Sequence, residues 1–393
     1  MDFKIFLQNV LSNHEGVEVK IDSLVESSCT EPGQNFMSVV SIVKVEGKIA
    51  NVRPYFKSVF VKRKTLFEGN SQLFSMDDAF DNEVVVYLKV LPLIMRTADV
   101  TRLPCPSYYH VSNDVIILED LQEQGFGSGK ASEGFDFAAA ISIVQELAKF
   151  HAASYYTRMV DQERFDVTVK ELKPIGLILS NNRSMMETCL KRVIRYIEAE
   201  KDMNLEATSL RRLHGRVTES MRELREPKNV AVLVHGDFWY NNILIWKSED
   251  SEDKIRIIDF QASALLSPAV DFWLFLYTSI SHSLLVKNCV EFITLYKASF
   301  QEALSNLNSF EIPSEELMFD ELLSKELYGF LSAMAYLPAL YLKGELLGEM
   351  TKASEEEKKD GCFLDKFVLP GFKERLIEIV RFAYQRGVFN HIA

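Results

Sequence analysis

The stretch VLVHGDFWYNNILI (residues 232–245) reads as strand, polar loop, strand. Its apolar flanks predict burial, yet the loop between them packs His235, Gly236, Asp237, Asn241 and Asn242 into eight residues. Buried carboxylates and amides are costly unless they are paired or meet a ligand. A turn alone accounts for Gly, Asp and Asn, but it does not call for His235, Asp237 and Asn242 together. A second stretch, IRIIDFQAS (residues 255–263), delivers Asp259 at the end of a strand, 22 residues after Asp237. A strand end before a loop is a usual place for a site. The Asn242 amide and the Asp259 carboxylate are oxygen donors of the kind Mg²⁺ takes together with water and phosphate. Asp237 is a further acid, able to accept a proton from a hydroxyl.

The HGD-x4-N loop followed by a strand-borne DF resembles the catalytic and metal-binding loops of the protein-kinase-like fold. Within that fold it is similar to the aminoglycoside phosphotransferase/choline kinase superfamily, and most of all to the ecdysteroid kinase-like (CHK kinase-like) family. HGDFWYNN, the DFQ where protein kinases have DFG, VIILEDL (residues 115–121) and LAKFHAAS (residues 147–154) carry the likeness, which extends from about residue 33 to residue 271. The resemblance implies an α+β, bilobal protein-kinase-like fold with a small β-rich N-lobe and a large, mainly helical C-lobe. It implies an ATP- and Mg²⁺-dependent small-molecule kinase. Asp237 would be the catalytic base, with Asn242 and Asp259 the metal ligands. His235 and Asp271 (in SPAVDFW) would support the loop.

The same resemblance calls for a strand lysine that grips the α/β-phosphates and pairs with a helix glutamate. SVFVKRK (residues 58–64) offers Lys62, and Glu83 follows 21 residues later. Alternation puts Lys62 and Lys64 on one face, so periodicity does not choose between them; the family pattern favours Lys62. A phosphate-cradling loop is expected at Gly33, Asn35, Phe36 and Ser38, although only one glycine is present where protein kinases show three. Backbone amides can still form such a cradle, and an ordinary β-turn is the alternative. The adenine would lie against backbone groups of Glu119, Asp120 and Leu121.

Around these motifs the chain divides into an N-lobe (1–118), a hinge and linker (119–130) and a C-lobe (131–393). Residues 39–45, 58–64 and 115–119 read as strands, residues 80–93 as one helix, and residues 1–30 hold a short helical segment. Further strands are expected at 230–234, 243–246 and 255–259. Asp136 is the expected cap of a helix with Phe137, Ile141, Val144 and Ala148 on one face. The last helix is expected near 372–386, stopped by Gly387. GFGSGKAS (residues 125–132) fails the P-loop pattern, with Gln124 and Ala131 at key positions, and reads as a flexible linker. His151 reads as a hydrogen-bonded core residue. Trp239 and Tyr240 either line an acceptor site or pack. Phe272, Trp273, Phe275, Tyr277, Phe330, Tyr336 and Tyr341 could wall an apolar site, and for most of them core packing is the expectation.

With 393 residues, 47% hydrophobic and 25% charged, the chain has ample material for a core. Its net charge of −12 argues against nucleic acid as a partner. No apolar run is long enough to span a bilayer, and nothing in the sequence demands an obligatory protein partner. Five scattered cysteines outside CxxC spacing read as reduced thiols in a cytoplasmic protein. The resulting expectation is phosphoryl transfer to a hydroxyl of an ecdysteroid or similar lipophilic alcohol. A choline/ethanolamine-type kinase and a pseudokinase that binds a ligand or partner remain as alternatives. A protein kinase fits poorly, because only eight residues separate Asp259 from Pro268 and no APE-like segment follows.

Overall fold

The computed structural model describes residues 2–28, 38–64, 76–128, 133–175, 183–247, 253–342 and 363–390. The chain opens with α1 (Phe3–Glu15), capped by the Asp2 side chain, which accepts from Lys4 N at 2.8 Å. Strands β1 (Val19–Ser28), β2 (Ser38–Ile49) and β3 (Arg53–Lys64) form antiparallel hairpins. They are followed by α2 (Met76–Val85), a π-helical turn (Val86–Val90), α3 (Leu91–Thr97), β4 (Tyr108–Val111) and β5 (Val115–Glu119). The five strands make one antiparallel sheet in the order β1-β2-β3-β5-β4.

Alternation along the strands divides this sheet into two faces. Val43, Val45, Tyr55, Val59, Val61 and Ile117 point outward and are sealed by Leu7, Val10 and Leu11 of α1. Ser58, Phe60 and Lys62 point the other way, toward the rest of the molecule. Lys62 and Lys64 of SVFVKRK share that inner face, and depth along the strand separates them. Lys62, 6% exposed, is buried on the inner face between two carboxylates, whereas Lys64 sits at the rim with Asp77 and Asp81.

The second lobe is mainly helical. It contains α4 (Phe137–Val160), α5 (Gln162–Val169), α6 (Arg183–Glu198), α7 (Asn204–Arg212) and α8 (Val217–Arg225). The strand pairs β6 (Val232–Val234) with β9 (Ala264–Leu266), and β7 (Ile243–Trp246) with β8 (Lys254–Ile257), follow. The lobe is completed by α9 (Ala269–Thr278), α10 (His282–Asn306), α11 (Glu315–Leu323), α12 (Glu326–Tyr341) and α13 (Phe372–Gln385). Every residue of α9 is buried, so this helix, which carries Asp271, is the central post of the lobe. Phe272, Trp273, Phe275, Tyr277 and Phe330 are core residues, as the packing reading expected. Asp136 caps α4 through Ala139 N at 2.9 Å, and Gly387, at φ 73°, follows the last helix. Among the described residues no helix is long and apolar enough to cross a membrane.

The architecture is the expected one, a β-rich lobe followed by a helical lobe, with two local corrections. The helix read over residues 80–93 begins at Met76 and runs to Thr97, because Asp77 and Asp78 favour its N-terminus and a π turn before Pro92 keeps the chain helical. The segment read as a flexible linker is pinned where it is described. Gly127 N donates to Ile245 O at 2.9 Å and Ile245 N to Gly127 O at 2.8 Å, so this stretch pairs with β7.

Candidate active site

The site forms where the inner face of the sheet meets the β7–β8 hairpin. Lys62 Nζ, from β3, lies 2.5 Å from Glu83 Oε2 on α2 and 2.7 Å from Asp259 Oδ1 beyond β8. Burial opposes the charge on Lys62, but the Asp259 and Glu83 carboxylates outweigh it and hold the ammonium above the ordinary lysine range. Burial pushes the Glu83 carboxyl up, against the pull of Lys62.

Asp259 occupies the left-handed region at φ 69°, a conformation rare for non-glycine residues and costing about 1–2 kcal/mol. That backbone turn ends the strand and leads into the short helical turn Phe260–Ala262. Asn82, the neighbour of Glu83, secures the same corner. Its amide nitrogen donates to Lys173 O at 2.8 Å and Gln261 O at 2.9 Å, and its oxygen accepts from Lys173 N at 2.8 Å. Asn82 thereby ties the helix of Glu83 to the DFQ segment of the other lobe.

On the loop, Asn242 Nδ2 donates to Asp237 Oδ2 at 2.8 Å and to Asp237 O at 2.9 Å. Because the nitrogen is taken up by Asp237, the Asn242 amide oxygen faces away from it. Ile258 N donates to Asn242 O at 3.0 Å, which brings the residue before Asp259 against Asn242. Asn242 Oδ1 and the Asp259 oxygen not engaged with Lys62 are hard donors, of the type a Mg²⁺ that also binds phosphate requires. Desolvation pushes the Asp237 carboxyl above its usual range, and Asp259 adds to that, while hydrogen bonds from Tyr336 and Asn242 pull it back.

Supporting contacts fix the loop from behind. Asp271, fully buried, accepts from His235 N at 2.6 Å and Gly236 N at 2.8 Å, and meets His151 Nε2 at 3.1 Å. His151 in turn meets the Tyr296 hydroxyl at 2.7 Å through Nδ1, so it is the hydrogen-bonded core histidine expected. His235 bonds Ile258 O through Nε2 at 2.9 Å, and its Nδ1 accepts from Asp237 N at 3.3 Å. Nε2 therefore joins the two loops, and Nδ1 steadies the HGD loop itself. Gly236 has φ 81°, and a Cβ there would lie 2.1 Å from Ala262 O, so only glycine lets the HGD loop rest on the DFQ turn.

At the hinge, the Glu119 side chain accepts from Arg102 at 2.5 Å, Ser107 N at 2.9 Å and Gln124 at 2.9 Å. Asp120 accepts from the Ser58 hydroxyl at 2.6 Å and Gln122 N at 3.0 Å. Leu121 is buried, and its carbonyl accepts from Phe126 N at 3.0 Å. A cleft of about 450 Å³ opens between this hinge and the β1–β2 hairpin, lined by Ser27, Ile42, Lys44, Asp120, Gln122 and Glu123. Gly33, Asn35 and Phe36 lie outside the described residues. Ser38 opens β2 opposite Lys64, and only its backbone is described.

Tyr240 packs: its ring stacks on Phe135 at 4.6 Å and its hydroxyl bonds to Ser128 O. Trp239 is half-buried and meets the Tyr336 ring edge-on at 5.2 Å. The contribution of Asn82 and the hydrogen bond from Tyr336 to Asp237 were not legible in the sequence. Asn82 is adjacent to Glu83, which was a usable signal, whereas Tyr336 is about 100 residues from its partner within an apolar helix.

Among curated proteins, none matches the sequence. Solved structures that resemble this one include an ethanolamine kinase of Plasmodium vivax, Pv091845, at 14% identity and a TM-score of 0.39, covering 94% of this chain and 89% of that one. The GDP complex of aminoglycoside 2'-phosphotransferase-IIIa matches at 14% identity and a TM-score of 0.41, covering 94% of this chain and 98% of that one. The sequence matches the Ecdysteroid kinase-like family over residues 32–309, most of the chain, including Lys62, Glu83, Asp237, Asn242 and Asp259. The chain belongs to the Ecdysteroid kinase-like family.

Proposed function

We propose that this protein transfers the γ-phosphoryl group of ATP to a hydroxyl of a small molecule, an ecdysteroid or similar lipophilic alcohol. The observation that carries the reading is the Lys62 ammonium, which joins Glu83 of the small lobe to Asp259, itself 197 residues along the chain from Lys62. A buried lysine between two carboxylates from different lobes is more than a fold needs. It supplies a fixed cation where the α/β-phosphates of a nucleotide would lie.

In this reading the adenine lies against backbone groups of residues 119–121. Asn242 and Asp259 would hold Mg²⁺, which, when bound, neutralises charge on the phosphate oxygens. Asp237 orients the acceptor hydroxyl and takes its proton. The raised Asp237 carboxyl is better matched to that task than an ordinary aspartate, since a base works best near the operating pH. His235 and Asp271 hold the loop in register and take no proton from substrate. The rest of the rate comes from positioning and preorganised charge.

The test is thermal unfolding with ATP, with GTP and with Mg²⁺, each alone and together. A ligand that binds only the folded state stabilises it by about 2.7 kcal/mol at one hundred times its dissociation constant. The expected result is a nucleotide shift that needs Mg²⁺ and that Asp259→Ala abolishes. The absence of a shift with either nucleotide would favour a protein that binds a ligand or partner without phosphoryl transfer.

A further inference from the structure

Lys62 answers two carboxylates with one charge. Glu83 Oε2 and Asp259 Oδ1 lie 2.5 Å and 2.7 Å from the same Nζ. With both carboxylates ionised, the trio carries one negative charge in excess, and the two carboxylates repel each other across the ammonium. The backbone of Asp259 adds to the difficulty. Its φ of 69° is costly for a residue with a side chain, so the DFQ turn needs a tether to stay where it is. Glu83 and Asp259 stand on different elements, α2 and the turn after β8, and the constraint that holds them together must not add charge of its own.

Asn82 has the required properties. It precedes Glu83 in sequence, and its amide nitrogen donates to Gln261 O, two residues beyond Asp259, at 2.9 Å. The same amide pairs with Lys173 in both directions, donating to its carbonyl and accepting from its N–H, each at 2.8 Å. It thus bonds the irregular segment after α5 as another peptide unit would. The side chain is 1% exposed, so water is not at hand to replace these bonds. A primary amide donates to two carbonyls and accepts from an N–H while remaining neutral. Two surface pairs brace the same junction, Lys173 with Asp78 and Lys89 with Glu171, but both are exposed and weak by comparison. Tyr87, one turn after Glu83, meets the Phe260 ring edge-on at 5.9 Å. These contacts fasten α2 to the second lobe, and Lys62 reaches it from the sheet.

We propose that Asn82 is a positioning residue: it holds Glu83 and Asp259 in one frame, so that Lys62 meets an assembled pair of carboxylates before any nucleotide arrives. The frame itself is a property of the Lys62 site as built. Its consequence, that MgATP binds more weakly once the frame is lost, rests on the functional reading given above.

The test treats the native full-length protein with sulfosuccinimidyl acetate at pH 8 and follows acetylation of Lys62, relative to the exposed Lys20, by peptide mass spectrometry. Lys62 should be nearly inert in the wild type. Asn82→Ala should raise its relative rate ten-fold or more, because Asp259 swings away and uncovers the ammonium. Asn82→Ser, which keeps one donor and one acceptor, should fall between the two and serves alone if Asn82→Ala does not fold. Leu172→Ala is the control. It loosens the same segment through packing, leaves the amide in place and should change the rate less than two-fold. The same proteins are then titrated with MgATP and followed by thermal unfolding. Affinity should fall ten-fold or more in Asn82→Ala, less in Asn82→Ser, and less than two-fold in Leu172→Ala. Lys62 as inert in the Asn82 variants as in the wild type, Lys62 equally uncovered in Leu172→Ala, or MgATP affinity unchanged by loss of the amide would each overturn the proposal. Acetylation as expected in a protein that binds no MgATP would leave the positioning role standing and remove the nucleotide reading.

Discussion

Replacing Asp271 with asparagine keeps the shape of the side chain and changes only its charge and one atom. Asp271 Oδ2 accepts from His235 N at 2.6 Å and meets His151 Nε2 at 3.1 Å, while Oδ1 accepts from Gly236 N at 2.8 Å. All of this is fully buried. An asparagine has one acceptor oxygen, so its amide nitrogen must face at least one of these donors. Leaving one buried N–H orphaned costs about 1–3 kcal/mol. The bonds that survive lose their charge assistance, which is about half their strength. The expected loss for Asp271→Asn is therefore about 3–5 kcal/mol, the range found when one partner of a buried charged pair is removed. Tyr296→Phe is the matched control: it removes only the outer bond to His151 and should cost about 1 kcal/mol. Urea unfolding followed by tryptophan fluorescence measures both. A loss below about 1 kcal/mol for Asp271→Asn would refute the claim that this carboxylate holds the HGD loop.

Two further outcomes follow from the same geometry. Lys62→Met leaves the buried Glu83 without its cation and should cost about 3–5 kcal/mol near pH 8. The Lys62 ammonium is held above the ordinary lysine range, so the stability it contributes is complete below about pH 10.4 and is lost as pH rises through the higher folded value. The gap between wild type and Lys62→Met in urea unfolding should thus narrow above pH 10.4, and a gap that widens would contradict the pairing. The thiols of Cys105 and Cys289 are pushed up to about 12 by burial, and burial raises Cys189 as well. These three cysteines should resist maleimide at pH 8 in the native protein and label fully in urea, read by peptide mass spectrometry; rapid native labelling would show that they are not buried.

The polar loops were legible because their chemistry is local. In HGDFWYNN and in IRIIDFQAS, costly residues sit between apolar flanks, and Asp237, Asn242 and Asp259 stand out against them. Lys62 was legible only in part, since alternation gave two lysines on one face. What selects between them is depth along the strand: Lys62 is buried between Glu83 and Asp259, whereas Lys64, at the end of β3, meets Asp77 and Asp81 at the rim. The helix of Glu83 was dated too late in the chain because its first turn, with Asp77 and Asp78, is polar, and its π turn breaks the 3.6-residue period. Asn82 and Tyr336 escaped sequence reading for a common reason. Each acts through a contact with a distant element, and each sits in a helix where its spacing marks it as ordinary.

The central claim is tested most directly by transfer of radioactive γ-phosphoryl from ATP, with Mg²⁺ present, to a panel containing 20-hydroxyecdysone, other hydroxylated steroids and choline, using the wild type and Asp237→Asn. The account predicts a phosphorylated steroid product with the wild type. It predicts a fall of about 10²-fold or more with Asp237→Asn, the lower end of what a positioned acid or base contributes. Transfer by Asp237→Asn within a few-fold of the wild type would contradict it.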